Sequence, residues 1–208
     1  MPVVNILQSI SVIVTSVIAS VIMIYGITTW RREYIGKRKI ELAEEVLALF
    51  YEARDAIRFI RNPFGYVGEG SSRKSAANET PEEKKINDQA NVVFERYTQR
   101  KDLFNKINSM RYRYMAQFGK DSAKPFENLN GIINDIFASA HMLAYYWSKR
   151  GSSQWKNQEE FQQHLEEMHK HEAVFWQMRR EQDQITPRLE AVISDIETQS
   201  AKVIGKSK

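Results

Sequence analysis

The side chains with the most chemistry per residue lie in "EEFQQHLEEMHKHE", residues 159–172. Glu160, His164, Glu167 and His171 follow one another at intervals of four, three and four, which puts all four on one helical stripe. Imidazole and carboxylate one turn apart can share a divalent cation. Glu166-x-x-His169 also repeats half of the motif that holds a di-iron centre between helices. The second half is missing: His141 is the one histidine outside the stretch, and Ala138 stands where its glutamate is needed. A metal-dependent helical enzyme on these four residues is therefore the alternative reading, and no cofactor is expected. Without a metal the stripe reads as a solvated row of Glu–His pairs, each contributing about 0.2–0.5 kcal/mol. His141, among alanines and aromatics, reads as a core residue.

A second candidate is "NPFGYVGEGSSRKSAANETP", residues 62–81. Gly65 and Gly70 have the separation of a phosphate-binding loop, but Ser71 occupies the place of the required lysine. The segment follows a helix rather than a strand, and about ten residues separate Gly70 from the next helix start, so no helix N-terminus addresses it. Arg73 likewise replaces the third glycine of a dinucleotide fingerprint. Nucleotide binding is not expected on that context. The segment reads as a flexible loop over residues 62–80, mobile from residue 71 to 79, with Phe64 and Tyr66 at its start offering a contact surface. Long loops of this kind are either functional or disordered.

The third is a basic, aromatic helix. Lys106, Arg113 and Lys120 recur every seven residues, with Arg96 and Arg100 nearby, and Arg111-Tyr112-Arg113-Tyr114 has the alternation of a stacking platform for single strands. Helical spacing favours aromatics inside and cations in water, and the chain's formal charge of +4 is too small to argue for nucleic acid. Anionic lipid is the nearer partner for such cations. With no cysteine among 208 residues, disulfides, thiolate metal sites and cysteine nucleophiles are ruled out. No nucleophile elbow or similar motif occurs.

The elements that must position these groups begin with an uncharged run. Residues 1–30 carry no charged side chain, and residues 6–30 are rich in isoleucine and valine, longer than the ~20 residues that cross a bilayer. The run ends at Trp30 and meets Arg31, Arg32, Lys37, Arg38 and Lys39. Basic flanks stay cytoplasmic, so the N-terminus is expected outside and residues 31–208 in the cytoplasm of a cell (inner) membrane protein, with these five cations facing lipid. A cleaved signal peptide would carry its basic residues before the apolar run.

Beyond the span, Ala43, Val46, Phe50, Ala53, Ile57 and Ile60 form one helical seam, ended by Asn62-Pro63. Thr80, Pro81 and Glu83 make a helix start with a capping box; that helix is expected to run to Phe118, where Gly119 stops it. Pro125 opens another, broken at Gly151. The last helix is expected to start near Ser153 and run on as a coiled-coil-like seam of Met178, Gln182, Ile185, Leu189, Val192, Ile196, Gln199 and Val203, with a kink or short break at Thr186-Pro187, where a cap and a fresh helix are the other reading. The expected fold is all-α: one transmembrane helix followed by a cytoplasmic antiparallel helical bundle with a long C-terminal helix. Its expected function is association with a protein partner or with another copy of itself through Ile185, Leu189, Val192 and Ile196, with Phe64 and Tyr66 as a second surface. Catalysis is not expected.

Overall fold

The computed structural model describes residues 2–150, 155–179 and 182–205. They form six α-helices and no strand: α1 (Pro2–Ile60), α2 (Pro81–Gln99), α3 (Lys101–Phe118), α4 (Lys124–Arg150), α5 (Gln158–Phe175) and α6 (Thr186–Ile204), with a 3-10 turn (Lys120–Ala123) between α3 and α4. The side chains of residues 2–12 are not among those described.

At 59 residues α1 runs unbroken, about 90 Å at 1.5 Å per residue. It contains neither an internal proline nor a long polar interruption, so nothing stops it before Asn62-Pro63. Among the described residues it is the one helix long and apolar enough to cross a membrane, a test that N-terminal signal sequences also pass. Its residues 13–30 are exposed, and burial begins only at Leu42.

From there Val46, Phe50, Ala53, Ile57 and Ile60 face the core. Phe50 meets Phe126 of α4 edge-on at 4.9 Å, and Phe104, Ile107, Met110 and Tyr114 of α3 close around them. Each large apolar side chain buried this way contributes about 1.5–3 kcal/mol. Tyr51 donates to Glu197 at 2.7 Å and Arg58 to Glu190 at 2.8 Å. As numbering rises along α1 it therefore falls along α6, so the two helices run antiparallel.

The helix expected over residues 81–118 is two helices. The chain breaks at Arg100, whose ψ of 9° lies outside the helical region. Across the break Tyr97 and Phe104 stack at 4.9 Å, whereas residues seven apart in a straight helix are about 10.5 Å apart along its axis. Gly119 does end α3, at a φ of +91° that favours glycine.

The expected long C-terminal helix is also two helices. α5 ends at Phe175, and residues 176–179 and 182–185, which lie between it and α6, are not helical. Pro187 cannot donate to the preceding turn. Asp183 instead accepts the amides of Ile185 and Thr186 at 2.9 Å and the Thr186 hydroxyl at 2.9 Å, starting a fresh helix. Met178 and Gln182 thus lie in a connector. Ile185, Leu189, Val192 and Ile196 are buried in the chain's own core, where α6 packs against α1 and α4. The expected break at Gly151 and helix start near Ser153 lie outside the described residues. His141, expected in the core, is exposed beside Phe94 at 5.0 Å.

Candidate functional site

The far end of α1 is where sequence and structure differ most. The segment expected to be a flexible loop is folded around Arg96 of α2. Arg96 donates to the carbonyls of Phe59, Ile60, Asn62 and Phe64 at 2.5–3.3 Å and to both carboxylate oxygens of Glu69 at 2.6 and 2.8 Å. One guanidinium thus satisfies the orphan carbonyls of α1's last turn and clamps the loop in bidentate fashion. The hydrogen bonds from Arg96 hold the Glu69 carboxyl below the usual range against the upward push of its own burial.

The following residues are held as firmly. Glu95 accepts from the Gly70 amide at 3.0 Å and the Ser72 hydroxyl at 2.7 Å. Arg73 donates to Asp88 at 2.7 Å and to Glu79 at 2.8 Å, so the stretch expected to be mobile is tied to α2. Gly70 has a φ of +86°, and a Cβ there would run into the Asp88 carbonyl; only glycine permits this approach.

What the clamp presents is apolar. Asn62 Oδ1 accepts the Phe64 amide at 3.0 Å, turning the chain outward, and Phe64, Tyr66 and Val67 stand 83%, 64% and 103% exposed. The Tyr66 hydroxyl donates to Glu95 at 3.4 Å. Its pKa is pushed up by burial of the hydroxyl and by the Glu95 and Glu69 charges, so it stays protonated.

Arg61 is the other buried cation at this end. It pairs with Asp183 at 2.9 Å and donates to the carbonyls of Ala173, Val174 and Trp176 at 2.7–3.0 Å, capping the end of α5. Burial lowers its pKa, with Asp183 pulling the other way. Neither Arg61 nor Asp183 was singled out by residue pattern, and Arg96 was counted among surface cations. One signal was present for Arg96: it lies three residues after the buried Val93, on the inner face of α2.

The Glu–His stripe does not converge. Glu160 accepts the Lys156 amide at 2.8 Å at the start of α5, while Glu167 takes Lys170 at 2.6 Å in water. His164 is buried between Trp155 and Tyr146, at ring distances of 4.6 and 5.3 Å. His171 stacks on Tyr146 at 5.5 Å and lies 3.2 Å from the Ser139 hydroxyl. The two carboxylates take partners on their own helix or just before it, while the two histidines pack against α4. Among the described residues no group of three or more His, Asp or Glu side chains could hold a metal ion.

The basic helix is likewise dispersed. Arg96 is interior, Arg111 pairs with Glu127 at 2.6 Å, Lys106 pairs with Glu45 at 3.1 Å, and Tyr114 is buried. Only Tyr112 of the expected aromatic platform is exposed. Arg31, Arg32, Lys37 and Arg38 are exposed and Lys39 half-buried on α1. No protein-family model, curated protein or solved structure matches the chain. The molecule is thus defined by its own architecture: packed helices, one of them a candidate membrane span, ending in a clamped apolar tip.

Proposed function

We propose that this chain is a single-pass membrane protein that acts by protein–protein association, holding the Phe64–Val67 tip out to a partner. Residues 1–30 serve as the anchor and residues 31–208 as a cytoplasmic antiparallel helical bundle. The basic residues 31–39 beside the apolar run support that orientation. Thirty residues of helix between Trp30 and Ile60 place the tip on the order of 45 Å from the bilayer surface.

The observation that carries this reading is the contrast at the tip. Three large side chains stand in water while the backbone beneath them is fixed by the buried Arg96–Glu69 pair. Exposing aromatic and aliphatic groups costs solubility, and exposed apolar patches mark contact sites. A fixed backbone lets such groups bind without a further ordering cost. The interaction expected of α6 therefore passes to the residues expected as the second surface.

Affinity purification of the detergent-solubilised full chain tests this. The unsubstituted chain is expected to carry a stoichiometric partner that Phe64→Ser with Tyr66→Ser releases, the purified chain remaining folded. The same partner set from both proteins would contradict the proposal.

A further inference from the structure

The stripe by which α5 sits on the molecule is half histidine. His164, Met168, His171 and Phe175 follow one another at intervals of four, three and four, which keeps them on one side of the helix. Met168 and Phe175 are fully buried, His164 is buried and His171 half-buried. α5 packs chiefly against α4, whereas α4 is itself packed by α2 and α6 as well. It gives the core two large apolar side chains, Met168 and Phe175, where α4 gives six. Elements with few buried apolar contacts open at lower cost than the whole fold.

The surroundings of the two rings are short of negative charge. From α4, His164 faces the Tyr146 ring at 5.3 Å and Lys149, and from the residues before α5 it faces Trp155 at 4.6 Å. Its Nε2 is buried with no hydrogen-bond partner among the described residues. His171 faces Ser139 at 3.2 Å and Tyr146 at 5.5 Å. On α5 itself Glu160 accepts the Lys156 amide, Glu167 pairs with Lys170, and Glu172 accepts from Trp147 at 2.8 Å. α4 carries no acid after Asp135, which Arg188 of α6 takes; only Lys149 and Arg150 are charged beyond it.

Protonation gives the His164 ring a positive charge and, at Nε2, an N–H donor with nothing to accept it, which burial makes costly. Burial lowers the pKa of both rings; the Tyr146 carbonyl opposes at His164, and Glu167 opposes at His171. The seat of α5 is therefore whole above the unfolded histidine value of about 6.5 and weakens as pH falls from there through the folded values. The far end of α5 is held differently. Arg61 donates to the carbonyls of Ala173, Val174 and Trp176. Its partner Asp183, pushed up by burial but lowered further by the Thr186 amide and Arg61, stays charged where the histidines titrate.

We propose that α5 is an acid-released strap: protonation of His164 and His171 lifts its first turns from α4 while the other helices stay packed. The Arg61 end is the pivot, and the lifted strap uncovers Met168 and the Tyr146 ring. The switch is independent of what the tip binds.

Hydrogen exchange of the full chain in detergent, at pH 7.5 and pH 5 and normalised to the intrinsic rate at each pH, tests it. Protection of residues 158–170 is expected to fall several-fold at pH 5, while α3, α6 and residues 43–60 of α1 keep theirs. The loss should set in near the unfolded histidine value of about 6.5 and level off where the His164 ring titrates by NMR. His164→Phe with His171→Gln should leave α5 equally protected at the two pH values. Equal protection of α5 in the unsubstituted chain overturns the proposal, as does a loss spread evenly over all helices, which means acid unfolding of the whole chain. A loss that begins only after the His164 ring has titrated overturns it too, whether or not the double variant folds. So does a folded double variant that still loses protection of α5 in acid.

Discussion

Arg61 and Asp183, 122 residues apart in sequence, form an ion pair of 2.9 Å with side chains only 2% and 1% exposed. Through it the residue that follows α1's final turn holds both the end of α5 and the start of α6. Arg96, entering from α2, caps the same turn of α1 from the other side. Two buried arginines thus fix the end of the molecule that carries the apolar tip.

Removing one member of such a pair leaves a buried charge uncompensated, which costs about 3–5 kcal/mol. Arg61→Met is expected to lower unfolding stability by that amount. Adding Asp183→Asn removes the stranded charge and keeps an acceptor for the Thr186 amide, so the double variant should recover part of the loss. Full recovery is not expected, because the carbonyls of Ala173, Val174 and Trp176 remain without their donor. Chemical denaturation of the three proteins checks this. A double variant no more stable than Arg61→Met would contradict it.

Gly68 and Gly70 separate two effects within the tip. Both have positive φ, at +88° and +86°, but a Cβ at Gly68 meets open space and one at Gly70 meets the Asp88 carbonyl. Gly68→Ala is expected to cost about 1–2 kcal/mol, the left-handed conformation alone. Gly70→Ala should cost more and speed amide exchange across residues 64–72. Equal losses from the two would mean that the approach to Asp88 is not a constraint.

Two histidines set a pH dependence near neutrality. Burial pushes the His164 pKa down, with the Tyr146 carbonyl opposing and Lys149 adding to the fall. Burial also lowers that of His171, where Glu167 opposes and Lys170 adds. Groups with depressed folded-state values contribute stability above the unfolded histidine pKa of about 6.5, and lose it as pH falls from there through the folded values. Thermal stability should therefore decline as pH drops below about 6.5, and His164→Phe should flatten that slope. A second loss follows at lower pH. Burial pushes the Asp183 carboxyl up, but the Thr186 amide and Arg61 outweigh it and leave the pKa lowered. The stability it contributes is present above the ordinary carboxylate range and vanishes as pH falls through the depressed value. A melting temperature flat from pH 8 to pH 5 contradicts the histidine assignment.

Leu189→Asp is expected to unfold the chain rather than dissociate it from anything, because Leu189 lies in the core. The loss should exceed about 4 kcal/mol, as for an unpaired buried charge. Zinc or iron added to the unsubstituted protein should leave its melting temperature unchanged, since among the described residues no three His, Asp or Glu side chains gather into a ligand set. Stabilisation by a stoichiometric metal would restore the enzyme reading.

Signals confined to one helical turn were legible in the residues. Thr80 and Glu83 form the expected reciprocal cap, at 3.2 and 2.9 Å, and Gly119 stops α3. The α1 seam from Val46 to Ile60 is buried as its spacing requires. What misled was continuity of period. The apolar rhythm ran on past Phe175, so of the break before α6 only Thr186-Pro187 was legible, as a kink or short break, and the rhythm ran through Arg100, where nothing local marks a break. The clamp of the tip was illegible for another reason. Arg96 and Arg61 bind carbonyls that only the folded chain brings together, 32–37 and 112–115 residues away.

The central claim, a rigid apolar tip held out from the membrane to a protein partner, is tested most directly by a photo-crosslinking side chain at Val67 of the full chain in native membranes. One discrete adduct is expected on illumination, lost when Phe64→Ser is added and weakened when Glu69→Gln loosens the clamp. No adduct, or the same adducts with and without Phe64, would contradict the account.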